Sequence, residues 1–121
     1  MIRGIRGAIT VQNDTPEEIK NATVELITEI IAKNELNTDD FAYAEFSITE
    51  DIKSATPAKF ARTECGWHTV PMMCYREFEF EGGIKKCIRI LIAVNTDKSQ
   101  KEIKHIYLRE AQRLRPDLKN S

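Results

Sequence analysis

Ile84-Lys85-Lys86-Cys87-Ile88-Arg89-Ile90-Leu91-Ile92-Ala93-Val94-Asn95-Thr96 is the stretch whose reading decides the fold. Its β-branched residues and two-residue period mark a strand. Lys86, Ile88, Ile90, Ile92 and Val94 share one face, which suits the floor of a core. Cys87, Arg89, Leu91, Ala93 and Asn95 share the other, a mild face interrupted by one arginine. Gly82-Gly83 turns the chain just before it.

Outward from this strand, residues 1–11 read as a second strand with the same peculiarity. Met1, Arg3, Ile5, Ile9 and Val11 fall on its odd positions, and Ile2, Gly4, Arg6, Ala8 and Thr10 on its even ones. A lone arginine again sits among small residues, with room beside its guanidinium. Residues 13–34 read as one amphipathic helix. Thr15 can cap it, Pro16 suits the first position, and Glu18 completes a Thr-x-x-Glu box. Ile19, Ala22, Leu26, Ile27, Ile30 and Ile31 then recur at helical spacing.

Residues 41–49 read as a strand. Thr56-Pro57 starts a short helix through Lys59 and Arg62, which Gly66 can end. Residues 67–75 are strand-like, with Pro71 marking an edge or bulge. Phe78 and Phe80 alternate with Glu77, Glu79 and Glu81. Ser99-x-x-Glu102 is a second capping box, but the segment after it supports two readings. Ile103, Ile106, Tyr107, Ala111 and Leu114 fit a helix, while Tyr107, Arg109, Ala111, Arg113 and Arg115 fit one face of a strand. Pro116 forces Arg115 to be extended. The element order predicts an α+β fold, a sheet covered by one long helix, in a single domain spanning 1–121.

The 18 Lys+Arg against 19 Asp+Glu argue against nucleic acid, whose binders are usually strongly basic. No apolar run is long enough for a membrane span, and the first residues lack the apolar stretch of a secretory signal. Cys65, Cys74 and Cys87 show no framework spacing, which fits reduced thiols in a cytoplasmic protein.

Arg6 and Arg89 are the residues that call for explanation. Both sit mid-strand on faces expected to be buried, where an unpaired cation is costly. Composition alone favours an internal ion pair with Glu45, Glu77 or Glu79. The alternative is a basic pocket awaiting a carboxylate, which the planar fork of arginine binds bidentately. Glu77 reads equally as a solvated strand residue or as the acceptor for a substrate hydroxyl. Cys74 lacks an evident local base and reads as an inert thiol before a nucleophile. Cys65-x-x-His68 has no second pair to complete a zinc site, so no metal is expected. Lys59 and Arg62 share one helix face as a solvated basic edge. Tyr107 reads as a core aromatic with a satisfied hydroxyl, and Arg109, Arg113 and Arg115 as mostly solvated. Together these residues supply cations and donors, one carboxylate, and no convincing general base or metal set.

Several stretches, in order, resemble the AroH-class chorismate mutases along nearly the whole chain. They are Met-Ile-Arg-Gly-Ile-Arg-Gly-Ala at the start through Val11, Pro57-Ala58-Lys59 with Arg62, Gly66-Trp67, and Val70-Pro71 with Cys74 and Glu77. Gly82-Gly83-Ile84-Lys85-Lys86-Cys87-Ile88-Arg89, the segment from His105 to Leu108, and Leu114-Arg115-Pro116-Asp117-Leu118 complete the set. The resemblance implies a mixed five-stranded sheet packed against one long helix plus a short helical turn. It implies a homotrimer, a pseudo-α/β barrel with active sites between subunits, and it favours a strand around Tyr107 to Ala111.

The implied reaction is the Claisen rearrangement of chorismate to prephenate, on the route to phenylalanine and tyrosine, with no cofactor. Such a reaction moves no proton, so the enzyme must only hold the reactive conformer and stabilise charge on the ether oxygen. By the resemblance, Arg89 addresses that oxygen, Arg6 and Tyr107 hold the enolpyruvyl carboxylate, and Glu77 accepts from the ring hydroxyl with help from Cys74. Lys59 and Arg62 would line the mouth, Ala58 and Met73 the wall, and Leu114 and Arg115 the cover. The chain departs from the family pattern at Thr56, where an aromatic is frequent, and at Met73, where a smaller polar residue is usual. Both departures concern the pocket wall.

Overall fold

Cys87–Asn95, within the stretch 84–96, becomes the central strand of one five-stranded sheet. In the computed structural model, which describes residues 1–116, the strands are β1 (Ile2–Thr10), β2 (Phe41–Ile48), β3 (Met72–Arg76), β4 (Cys87–Asn95) and β5 (Ile106–Leu108). Their spatial order is β3-β2-β4-β1-β5. β4 runs antiparallel to β1 and β2, while the outer strands β5 and β3 run parallel to β1 and β2. The sheet is therefore mixed, in an α+β fold.

β4 begins at Cys87 because Lys86 takes a positive φ of 46°. Both Asp51 oxygens hold the Lys86 N–H there, at 3.1 and 3.0 Å. Thr49 Oγ1 donates to Asp51 at 2.5 Å and accepts from the Cys87 N–H at 3.0 Å. This short polar knot fixes where β4 starts, and hence which way Arg89 faces.

Two α-helices, α1 (Pro16–Asn34) and α2 (Pro57–Cys65), pack together over one face of the sheet. Thr15 caps α1 by accepting from the Glu18 N–H. The Glu18 carboxylate reaches back past the cap residue that the box reading implies, to the N–H groups of Asn13 and Gln12, two and three residues before Thr15. Ile19, Leu26, Ile27 and Ile30 of α1 meet Ile5, Ile9, Phe46, Ile88 and Ile92 of the sheet in one buried cluster. The approach is closest at Gly7, where a Cβ would stand 2.8 Å from Ile30 Cδ1 and 3.1 Å from the Ile106 carbonyl oxygen. Gly7→Ala is expected to cost about 1–3 kcal/mol by overpacking. A denaturant midpoint equal to that of the unaltered protein would contradict this.

Three expectations need correction. Only Met72–Arg76 of the stretch 67–75 is strand. Gly66, at φ 73°, ends α2 and turns Trp67 into the core, where its ring meets Phe41 edge-on at 5.3 Å. Phe78 and Phe80 stack on each other outside the sheet, exposed. Beyond the second capping box, which caps only the short turn Gln100–Glu102, both readings occur in sequence. Ile106–Leu108 is strand, then Arg109 takes φ 55° and Arg109–Leu114 winds as a 3-10 helix. Nη1 of Arg109 donates to the Thr10 carbonyl and Nη2 to Glu25, both at 2.9 Å, which ends the strand short of Ala111. Asp117 and Leu118 lie outside the described residues.

The second face of the sheet is treated differently. Ala111 and Leu114 of the 3-10 helix cover Ala8, Cys87 and Tyr107 at one end. Elsewhere the face is open, and Ile2, Tyr43, Met73, Tyr75 and Leu91 are exposed. Alternation and register place all five on this side. Among the described residues no helix is long and apolar enough to cross a membrane.

Candidate active site

Strand register assembles the site on the open face. Arg89 stands opposite Ala8 on β1 and Ser47 on β2, and Ala8 stands opposite Tyr107 on β5. Tyr107, Ala8, Arg89 and Ser47 thus form one row, extended by Tyr75 of β3. Ala8 is the spacer that leaves room between the guanidinium and the phenol. Arg6 lies two residues from Ala8 on the same face, opposite Leu91.

A cleft of ≈ 260 Å³ opens along this row, walled by Arg6, Glu45, Ser47, Tyr75, Glu77, Arg89 and Tyr107. Glu77 reaches it from the end of β3, where its N–H donates to the Ile48 carbonyl at 2.6 Å. Its Oε2 accepts from Ser47 Oγ at 2.6 Å and lies 3.4 Å from Arg89 Nε. That Nε is buried and makes no hydrogen bond among the described residues. The internal pair favoured on composition therefore exists for Arg89, and it forms part of the cleft wall. With the two side chains 24% and 21% exposed, the charges are only partly screened.

Arg6 differs from its expected burial: it is exposed in the single chain. Among the described residues no carboxylate pairs with it. Tyr107 is buried at 1% exposure, packed with Ala8, Cys87 and Ala111. Burial pushes the Cys87 thiol up to about 11, against the pull of Arg89, so it stays protonated at neutral pH and is no nucleophile.

A smaller cavity of ≈ 50 Å³ shares the Glu77–Arg89 pair and is lined also by Glu50, Asp51, Glu79 and Lys85. A hydrogen bond to Glu79 raises the Glu50 carboxyl above its ordinary value. The cavity's small size and its excess of carboxylates over Lys85 and Arg89 leave the larger cleft as the stronger candidate site.

The Chorismate mutase type I family profile matches residues 2–118. A chorismate mutase AroH of Bacillus subtilis is 46% identical over 118 residues, covering 98% of this chain and 93% of that protein. A chorismate mutase AroH of Thermus thermophilus is 47% identical, covering 100% and 99%. This chain belongs to the chorismate mutase type I family. A solved chorismate mutase from Clostridium thermocellum superposes with a TM-score of 0.87 at 43% identity, covering 90% of this chain and 96% of that one.

Of the residues singled out by resemblance to the chorismate mutases, Arg6, Glu77, Arg89 and Tyr107 share the cleft. Cys74 does not. It stands opposite Phe46, so its side chain points to the helix-covered side of the sheet edge, where it is exposed. In its own chain the thiol therefore does not line this cleft. Met73 faces the open side beside Glu45, in an adjoining groove of ≈ 240 Å³ with Tyr43 and Pro71. Ala58, Lys59 and Arg62 lie on α2 and do not line the cleft of their own chain. Thr56, at the departure from the chorismate mutase pattern, caps α2 by accepting from the Ala58 N–H at 3.3 Å. Leu114 packs behind Tyr107, and Arg115 follows it half-buried.

Ser47, Tyr75 and His105 carry no sequence signal for the site, and Glu45 enters the sequence reading only as an ion-pair candidate for the arginines. Ser47 becomes visible only once β2 is set in register with β4. His105 Nδ1 accepts from the Arg6 N–H at 2.9 Å, a contact between residues 99 positions apart that no local spacing announces.

Proposed function

We propose that this cleft binds chorismate as its dianion and rearranges it to prephenate, with each complete site built by two copies of the chain. The observation that carries the reading is two guanidinium groups, Arg6 and Arg89, on one open cleft of a chorismate mutase fold, with Glu77 tied to the second.

The chemistry needs little else. Breaking the ether C–O bond while the new C–C bond forms moves no proton, so the protein supplies geometry and charge. Arg6 and Tyr107 hold the enolpyruvyl carboxylate, while the cleft wall restricts the side chain to the conformer with its reacting ends close. Glu77 accepts from the ring hydroxyl. Arg89 donates to the ether oxygen, where negative charge grows, and the partly desolvated position of its pair with Glu77 makes that donor preorganised.

The cleft of ≈ 260 Å³ falls below the roughly 300–1,000 Å³ of complete small-molecule sites. Ala58, Lys59 and Arg62 stand away from it, on the helix side of the sheet. The apolar side chains around the cleft form a surface of the kind that associates. A ring of three copies would close that surface and bring α2 of one chain over the cleft of the next, with Leu114 and Arg115 at the rim. The cytoplasm is the compartment such a biosynthetic enzyme would occupy.

Purified protein should consume chorismate and yield prephenate. Its kcat should be flat from about pH 6 to about pH 9, because arginine does not titrate there and carboxylates titrate at roughly 4. A bell-shaped kcat profile would point to proton transfer and contradict the mechanism.

A further inference from the structure

The edge of β1 is closed in three ways. From Gly7 to Ile9 it pairs with the backbone of β5. At Gly4 the side-chain amide of Gln100 serves instead: the Gly4 N–H donates to its Oε1 at 3.0 Å and its Nε2 donates to the Gly4 carbonyl at 2.7 Å. Between them, at Arg6, the acceptor is the imidazole of His105, at 2.9 Å. The neighbouring backbone is already engaged. Lys104 donates its N–H to Asn34 Oδ1 at 2.8 Å, and its carbonyl accepts from Asn34 Nδ2 at 2.9 Å. Asn34 is buried at the end of α1 and also donates to Ile30, so it is not free to yield.

We infer that His105 is a positioning residue for Arg6: its neutral ring fixes the strand from which the Arg6 guanidinium reaches the cleft, and protonation releases that strand. This rests on the reading that Arg6 holds a substrate carboxylate. An amide such as Gln100 does not titrate, whereas an imidazole does. Nδ1 accepts only while it carries no proton, so the bond to Arg6 requires the Nε2–H form. Adding a proton sets one N–H against another and adds positive charge beside two cations. The charges acting on the ring are Arg6 of β1 and Arg115 beyond the 3-10 helix, both positive. Burial first, then these two guanidinium groups, hold His105 below its ordinary value of 6.5. The release therefore belongs to the acid side, where the substrate carboxylates are still ionised. Substrate binding should weaken there while the chemical step, which belongs to Arg89, does not.

Steady-state kinetics with chorismate from about pH 7.5 down to about pH 5 test this, with thermal melts as the check on folding. In the unaltered protein KM should rise several-fold across the acid part of that range at constant kcat. His105→Asn offers Oδ1 near the place of Nδ1 and does not titrate, so its KM should stay low and flat. His105→Leu should show, already at about pH 7.5, a KM raised roughly threefold to tenfold, the range of one neutral hydrogen bond. An unaltered protein that turns over normally with KM flat to about pH 5 overturns the role of His105 and leaves the function standing. So does a His105→Leu protein with ordinary KM, or an acid loss confined to kcat. A protein that leaves chorismate unchanged at every pH overturns the functional reading and this inference with it.

Discussion

Arg89→Ala should lower kcat by roughly 10²–10³, or about 3–4 kcal/mol, the scale of a lost oxyanion donor. The magnitude follows from the proposed role. A donor that meets charge present only in the transition state lowers kcat and kcat/KM together, leaving KM nearly unchanged. Folding should survive the change. Glu77 keeps its 2.6 Å bond from Ser47 and is 21% exposed, so the carboxylate left behind is partly solvated. Arg89→Lys should recover little, because an ammonium lacks the planar fork and is more strongly hydrated. Near-normal turnover of a folded Arg89→Ala protein would reject the assignment.

The second large effect concerns assembly. Changing Lys59 and Arg62 together to Ala should depress kcat/KM by roughly tenfold to a hundredfold per lost cation, the range of a hydrogen bond to a charged group. Yet neither residue lines the cleft of its own chain. If a neighbouring copy supplies them, two inactive proteins should repair each other. Mixing this double variant with Arg89→Ala, under conditions that exchange subunits, should restore about a quarter of the sites in a head-to-tail ring. Activity no higher than the sum of the separate proteins would mean that each site belongs to one chain.

The sequence disclosed what depends on local periodicity and capping. β1, α1, β2, α2 and β4 stand where alternation, Thr15-Pro16, Thr56-Pro57 and Gly66 place them. What it concealed depends on tertiary partners. Trp67 looks like a strand residue until the left-handed Gly66 turns it into the core. Residues 103–114 carry both periods because Arg109, anchored to Thr10 and Glu25, divides a strand from a 3-10 helix. The same division runs through the site. The arginines were conspicuous as lone cations on mild faces, and family resemblance named most of their companions. Which face Cys74 points to is a matter of register with Phe46, and register is set by pairing across the sheet. Ser47 and His105 act through partners 30 and 99 positions away.

A structure with a diacid mimic of the bicyclic transition state bound tests the central claim most directly. The ether oxygen of the mimic should lie within hydrogen-bond distance of the Arg89 guanidinium, with one carboxylate on Arg6 and Tyr107 and the hydroxyl on Glu77. A mimic seated elsewhere, or seated here with its ether oxygen turned away from Arg89, would contradict the account.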